Sequence, residues 1–255
     1  MRAAGFDVLL RRPDKARPGD VLVQWNRYGS GHEDATRFER EGGLVLVAEN
    51  GYLGKGGVSP KFDVHPNGPK PESYYALGTG FHNDHTRVLP SSDRWKSLGL
   101  ELKPWRTAGE HILVCPNRSF GVGNRVMPPD WAGRCVERLR KQTKRPVRVR
   151  VHPGNDAPQK PLIEDFKGCW AVYVWSSTAG VHALAEGIPV FCEAPYWILK
   201  PAGASGSPDE PACPDRLEHF ERMACGQWTL KEIESGEPFL TLLSQSKAGS
   251  VVAAL

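Results

Sequence analysis

Trp170-Ala171-Val172-Tyr173-Val174-Trp175 runs directly into Ser176-Ser177-Thr178-Ala179-Gly180, and this junction decides the fold. Side chains of a strand alternate between its two faces, so an unbroken apolar run belongs to a strand covered on both sides, as in a parallel sheet. The small polar cluster breaks the run. Val181 to Glu186 then has the length of a short helix, Gly187 ends it, and Ile188-Pro189-Val190-Phe191-Cys192 reads as the next strand. Working upstream, His111-Ile112-Leu113-Val114-Cys115 is a buried strand ending in Pro116-Asn117-Arg118-Ser119-Phe120-Gly121. Pro128-Pro129-Asp130 opens a helix with Asp130 as N-cap, and Trp131, Cys135, Val136 and Leu139 recur at helical spacing to about Gln142. Val147-Arg148-Val149-Arg150-Val151 alternates with period two and predicts a strand ending at His152-Pro153-Gly154. This strand–helix succession predicts a doubly wound parallel sheet.

The first half repeats the theme. Val21 to Trp25 is a strand, Asn26-Arg27-Tyr28-Gly29-Ser30-Gly31 a turn, and His32 to Glu41 a helix with Ala35 and Phe38 on its apolar side. Gly42-Gly43 ends it, and Leu44-Val45-Leu46-Val47-Ala48 is a second buried strand. Gly51 to Trp105, rich in Gly, Pro and Ser, is expected to be irregular surface structure, and the tail is expected to be helical over Phe220–Trp228 and Leu230–Ile233. The expected fold class is therefore α/β: two Rossmann-like domains facing a cleft, residues 1–109 on the acceptor side and 110–255 binding the donor and carrying the C-terminal helices. In open parallel sheets ligands sit beyond the carboxyl ends of the strands, so the polar clusters there are the candidate sites.

Composition narrows the class. The 255 residues are 40% hydrophobic and 24% charged, which suits a folded globular protein rather than a disordered one. No apolar run approaches the roughly 20 residues of a membrane span, and the start of the chain shows no secretory signal, so a cytoplasmic location is expected, the host cytoplasm for a phage-encoded protein. The six cysteines stand apart without a Cys-x-x-Cys pair, which predicts reduced thiols rather than a zinc site or disulfide framework. Phe81-His82-Asn83-Asp84-His85 is a polar loop with weak metal-ligand character, and no metal site is expected. There is no P-loop and no Gly-x-Ser-x-Gly. The net charge of +4 is concentrated: residues 134–150 hold eight cations (Arg134, Arg138, Arg140, Lys141, Lys144, Arg145, Arg148, Arg150) against Glu137. That run suits either a phosphate-attracting face or an ordinary solvated helix surface.

Three clusters carry chemistry. Ser176, Ser177 and Thr178 lie where a strand becomes a helix, whose unpaired N–H groups and positive dipole end suit a phosphate; a plain N-cap is the alternative reading. His152 and Pro153 follow Arg150 at the tip of the neighbouring strand, and Arg118 and Ser119 follow another. Glu49 follows the buried strand 44–48 in Glu49-Asn50-Gly51-Tyr52, where a carboxylate suits a general base or a loop cap.

Taken together, Glu49-Asn50-Gly51, His152-Pro153 and Ser176-Ser177 resemble the acidic-acidic-Gly, His-Pro and Ser-Ser motifs of GT-B glycosyltransferases of the bacterial capsule type, the Kdo and polysialyl transferases. Ser59-Pro60-Lys61-Phe62-Asp63 and Ser73-Tyr74-Tyr75 add to the likeness, which spans roughly residues 40 to 200. Asn50 departs from it, standing where the family carries a second acid. The resemblance implies a metal-independent transferase with no cofactor beyond a nucleotide-sugar donor (a UDP- or CMP-sugar). Ser176, Ser177, Thr178, His152 and Pro153 would hold its phosphate, with Arg150, Arg118 and Ser119 beside it. Glu49 would be the base, and Asn26, Arg27, Tyr28 and Tyr52 would line the acceptor side. The acceptor is either a glycan or a hydroxymethylated pyrimidine in DNA, as for phage glucosyltransferases. A catalytically idle nucleotide-binding protein is the third reading, kept open by Asn50.

Overall fold

Strand β1 (Val21–Trp25), helix α1 (Ser30–Arg40), β2 (Leu44–Asn50), β3 (Tyr74–Thr79) and α2 (Ser92–Ser97) open the chain. Next come β4 (His111–Cys115), α3 (Trp131–Gln142), β5 (Val147–Val149), α4 (Leu162–Asp165), β6 (Cys169–Val174), α5 (Thr178–Ala185) and β7 (Val190–Cys192). A small hairpin of β8 (Ser205–Gly206) and β9 (Pro211–Ala212) precedes α6 (Leu217–Ala224), β10 (Gln227–Thr229), α7 (Leu230–Ser235) and α8 (Glu237–Val252). The structure, a computed structural model, describes residues 1–10, 14–52, 74–81, 89–118, 120–152 and 160–252. It divides into two compact units, one of residues 1–99 with 220–255 and one of residues 100–219.

The second unit is built as its sequence predicts. β5, β4, β6 and β7 lie side by side in that order, all parallel. Every residue of β4 and β6 is buried, the expected outcome for strands covered on both faces. Ile112, Val114, Trp131, Cys135, Leu139, Ala171 and Tyr173 pack into one core against α3. Burying each of its aliphatic side chains Ile112, Val114 and Leu139 is worth roughly 1.5–3 kcal/mol. Asp130 precedes α3, but its carboxylate pairs with Arg134 (3.0 Å) instead of capping the helix. The expected strand 147–151 is shorter, ending at Val149.

The first unit departs from a parallel doubly wound sheet. β1 and β2 are parallel, as expected, but β3 runs antiparallel to β2 and β10 antiparallel to β3, giving the order β1-β2-β3-β10. The segment expected to be irregular thus supplies a central strand and a helix whose Trp95 is buried against Phe220. The tail is likewise not helical throughout: α6 stops at Ala224, and Trp228 sits in β10 opposite Tyr75. Leu46, Leu77, Cys225, Trp228, Phe239 and Leu242 form a core on one face of this sheet, and Ala16, Ala35, Phe38, Val45 and Val47 on the other. The division into contiguous halves at residue 109 therefore differs from the observed units, because the C-terminal strand and helices complete the first sheet. The fold is mixed α/β with parallel pairing in both larger sheets.

Candidate functional site

In the second unit the strand order reverses between β4 and β6: the chain steps from β4 outward to β5, then returns to the other side of β4. At such a switch point the loops leaving the two strands diverge and open a crevice at their carboxyl ends. Asn117, just beyond β4, reaches across it, its Oδ1 accepting the Ser176 N–H at 3.3 Å. The sequence places Asn117 in the polar cluster that follows β4, although it gives this residue no role of its own. Ser177 is the N-cap of α5, its buried hydroxyl oxygen accepting from the Ala179 N–H at 3.3 Å. The capping reading is thus realised, and it uses a lone pair of the oxygen, not its hydrogen. Thr178 is the first helical residue.

Gly180 has a different reason from close approach of a ligand. A Cβ there would lie 2.8 Å from Cζ2 of Trp197, a buried ring that packs against the helix. Trp197 is therefore core, whereas Tyr196 is half exposed beneath the Arg125 guanidinium, 4.4 Å from the ring centroid. Trp175 joins the same region, donating from Nε1 to the Arg125 carbonyl at 3.3 Å, while its own carbonyl accepts from the Ala194 N–H at 3.1 Å.

His152 is half-buried just past β5, and Arg118 lies past β4 with its guanidinium 5.6 Å from the Phe120 ring. Ser119 and Pro153 lie outside the described residues, as do residues 82–85. Arg150 is held differently from expectation. Its guanidinium pairs with Asp165 and donates to the Lys160 carbonyl at 2.9 Å, with Lys160 itself 2.5 Å from Asp165. Two cations on one largely buried carboxylate tie the end of β5 to α4, which makes Arg150 a structural clamp. The basic run is similarly committed: Arg134, Arg138, Arg145 and Arg150 pair with Asp130, Glu193, Asp209 and Asp165.

In the first unit, Glu49 lies inside β2 rather than after it, opposite Ala76 of β3. Its Oε1 accepts from the Asn50 N–H (2.8 Å) and from Asn50 Nδ2 (3.0 Å). Gly51 follows because β3 passes too close for any side chain: a Cβ would lie 2.5 Å from the Tyr74 carbonyl oxygen, which accepts the Gly51 N–H at 3.0 Å. Tyr52 is buried, its N–H donating to Gln227 Oε1 at 2.8 Å. Burial, and secondarily the charge of Glu49, hold its phenol well above the usual range, so it stays protonated.

The acceptor-side residues divide in two. Arg27 is buried, bidentate to Glu39 (2.6 and 2.7 Å), bonded to the Gly80 carbonyl (2.6 Å) and stacked on Phe81 (4.7 Å). It is a scaffold residue, since every one of those partners belongs to its own unit. Tyr28 is half exposed beside it. Asn26 adopts a left-handed φ of 52°, a conformation asparagine tolerates better than most residues, and donates its N–H to the Ala48 carbonyl at 2.8 Å.

Among the described residues no cluster of His, Cys, Asp and Glu is arranged to hold a metal, and no helix is long and apolar enough to cross a membrane.

The fold is shared. The chain is similar to the beta Kdo 2,4 transferase of KpsC from Thermosulfurimonas dismutans, with a TM-score of 0.53 and 11% identity over 84% of this chain and 82% of that one. It also overlays the beta Kdo 2,7 transferase of KpsC from the same organism, with a TM-score of 0.48 and 14% identity over 89% and 86% of the two chains. At these identities the likeness concerns architecture alone. No protein-family profile matches the chain, and no curated protein does.

Proposed function

We propose that the chain is a glycosyltransferase that moves a sugar from a nucleotide-sugar donor to a hydroxyl of a glycan. The observation that carries this reading is the bridge from Asn117 to Ser176 at the switch point of the parallel sheet, with the N-terminus of α5 immediately beyond it. A fold shared with a Kdo transferase supports it. On this reading the donor phosphate rests on the hydroxyls of Ser176, Ser177 and Thr178 and on the positive end of α5, with His152 and Arg118 alongside. The acceptor oxygen attacks the anomeric carbon, the bond from that carbon to the phosphate oxygen breaks, and the electron pair leaves with the phosphate. Preorganised donors stabilise the charge that develops there without calling for a metal. Glu49 takes the proton of the acceptor hydroxyl.

A glycan acceptor is favoured over duplex DNA, because four of the eight cations in 134–150 are already paired with acids of the same unit. Phosphate-backbone binding draws on uncommitted cations. Calorimetry with CMP-Kdo and with UDP-sugars tests the donor site. The proposal expects one nucleotide class to bind and His152→Ala to weaken it by roughly tenfold, about the value of one charge-assisted hydrogen bond. Unchanged affinity in the variant would remove His152 from the donor site, and the absence of binding by any nucleotide-sugar would overturn the proposed function.

A further inference from the structure

Asn50 stands where the resembled motif carries a second acid, and the structure gives that amide a task. Two N–H groups of one residue, the main-chain N–H at 2.8 Å and Nδ2 at 3.0 Å, converge on a single oxygen of Glu49. A carboxylate gripped through Oε1 by two donors loses the rotational freedom of an exposed acid, and its other oxygen is left out of both bonds. The surrounding backbone fixes the grip. Asn50 is in register with Tyr75 on β3, the Gly51 N–H is bonded to the Tyr74 carbonyl, and the Tyr52 N–H is bonded to Gln227. The main-chain donor therefore cannot drift from the carboxylate without breaking the end of the sheet.

We propose that Asn50 is a positioning residue that pins Glu49 through Oε1 so that Oε2 meets the acceptor hydroxyl. An amide suits this task better than an acid, because two adjacent carboxylates repel and tend to share one proton, whereas an amide N–H donates without competing for it. The inference rests on the reading of Glu49 as the base, and it makes Asn50 an asset of this chain where the family comparison makes it a defect.

The test uses the full chain, CMP-Kdo as donor and a synthetic Kdo glycoside as acceptor, with wild type, Asn50→Ala and Asn50→Asp compared. Asn50→Ala keeps the main-chain donor and loses the amide. Its kcat is expected to fall by roughly tenfold, the size of one lost hydrogen bond to a charged group, with both KM values within about twofold. Asn50→Asp is expected to fall further, since it replaces a donor with a like charge. Wild-type kcat in either variant would overturn the proposal, and so would equal losses in kcat and in substrate affinity. Crystal structures of wild type and Asn50→Ala give a second readout independent of turnover. A rotated or multiply placed Glu49 carboxylate in the variant supports the proposal, and an unchanged one overturns it. If wild type transfers no sugar, the proposed function fails, while the crystallographic comparison still decides whether Asn50 positions Glu49.

Discussion

Gly51 illustrates how much a single residue settles. The strand β3 approaches its Cα so closely that a methyl group would lie 2.5 Å from the Tyr74 carbonyl oxygen and 2.9 Å from Gln227 Oε1. Gly51→Ala is therefore expected to destabilise the protein by roughly 1–3 kcal/mol, the usual cost of forcing extra volume into a packed site. Gly133 is the matched control, a glycine within α3 whose added Cβ meets nothing within 4 Å. Gly133→Ala should instead stabilise by about 0.5–1 kcal/mol through helix propensity. Urea denaturation of the two variants checks both signs together, and a destabilising Gly133→Ala would contradict the packing described. At this scale the sequence was informative where a residue's neighbours in the chain are also its neighbours in space. Glu49, Asn50 and Ser177 bond to residues next to them or two along, and their places at or just past the ends of buried strands were legible. Arg27 and Arg150 were not, because their partners Glu39, Gly80 and Asp165 lie far along the chain and nothing local distinguishes a buried guanidinium from an exposed one.

At the scale of elements, α2, β10 and α7 are held together through Arg94. Its guanidinium pairs with Glu232, donates to the Gln227 carbonyl and lies 4.7 Å from the Trp228 ring. Glu232 also closes a capping box with Thr229 at the start of α7. Burial alone would raise the Glu232 carboxyl, but the hydrogen bonds from Arg94 and Thr229 outweigh it and hold the group below its ordinary value near 4.5. A carboxyl depressed in the folded state contributes stability above its unfolded pKa, and that contribution is lost as the pH falls through the folded value. Arg94→Ala is thus expected to cost roughly 2–3 kcal/mol at pH 7, with a smaller difference from wild type below pH about 4. Denaturation at the two pH values measures this, and a gap that widens in acid would contradict it. Elements in the second unit were legible because β4 and β6 are uniformly apolar and separated by helical patterns. β3 was not, since Tyr-Tyr-Ala-Leu-Gly-Thr carries little strand periodicity and becomes a strand only by pairing with β2 and with β10, far along the chain.

The whole molecule consists of a unit made from one continuous segment, 100–219, and a unit made from the two ends of the chain. A division based on order along the chain places residues 220–255 with the second unit, because their return to the first sheet is a long-range pairing with no local mark. The proposed chemistry assigns the donor phosphate to Ser176, Ser177 and Thr178 and the base to Glu49. Sugar transfer from CMP-Kdo to a Kdo glycoside, followed by mass spectrometry for wild type and Glu49→Gln with donor affinity measured on the same samples, decides whether Glu49 is that base. A glycosylated product is expected with wild type, and for Glu49→Gln an unchanged donor affinity with transfer reduced by about 100-fold or more, the range expected when a general base is removed. Full turnover by Glu49→Gln would contradict that role.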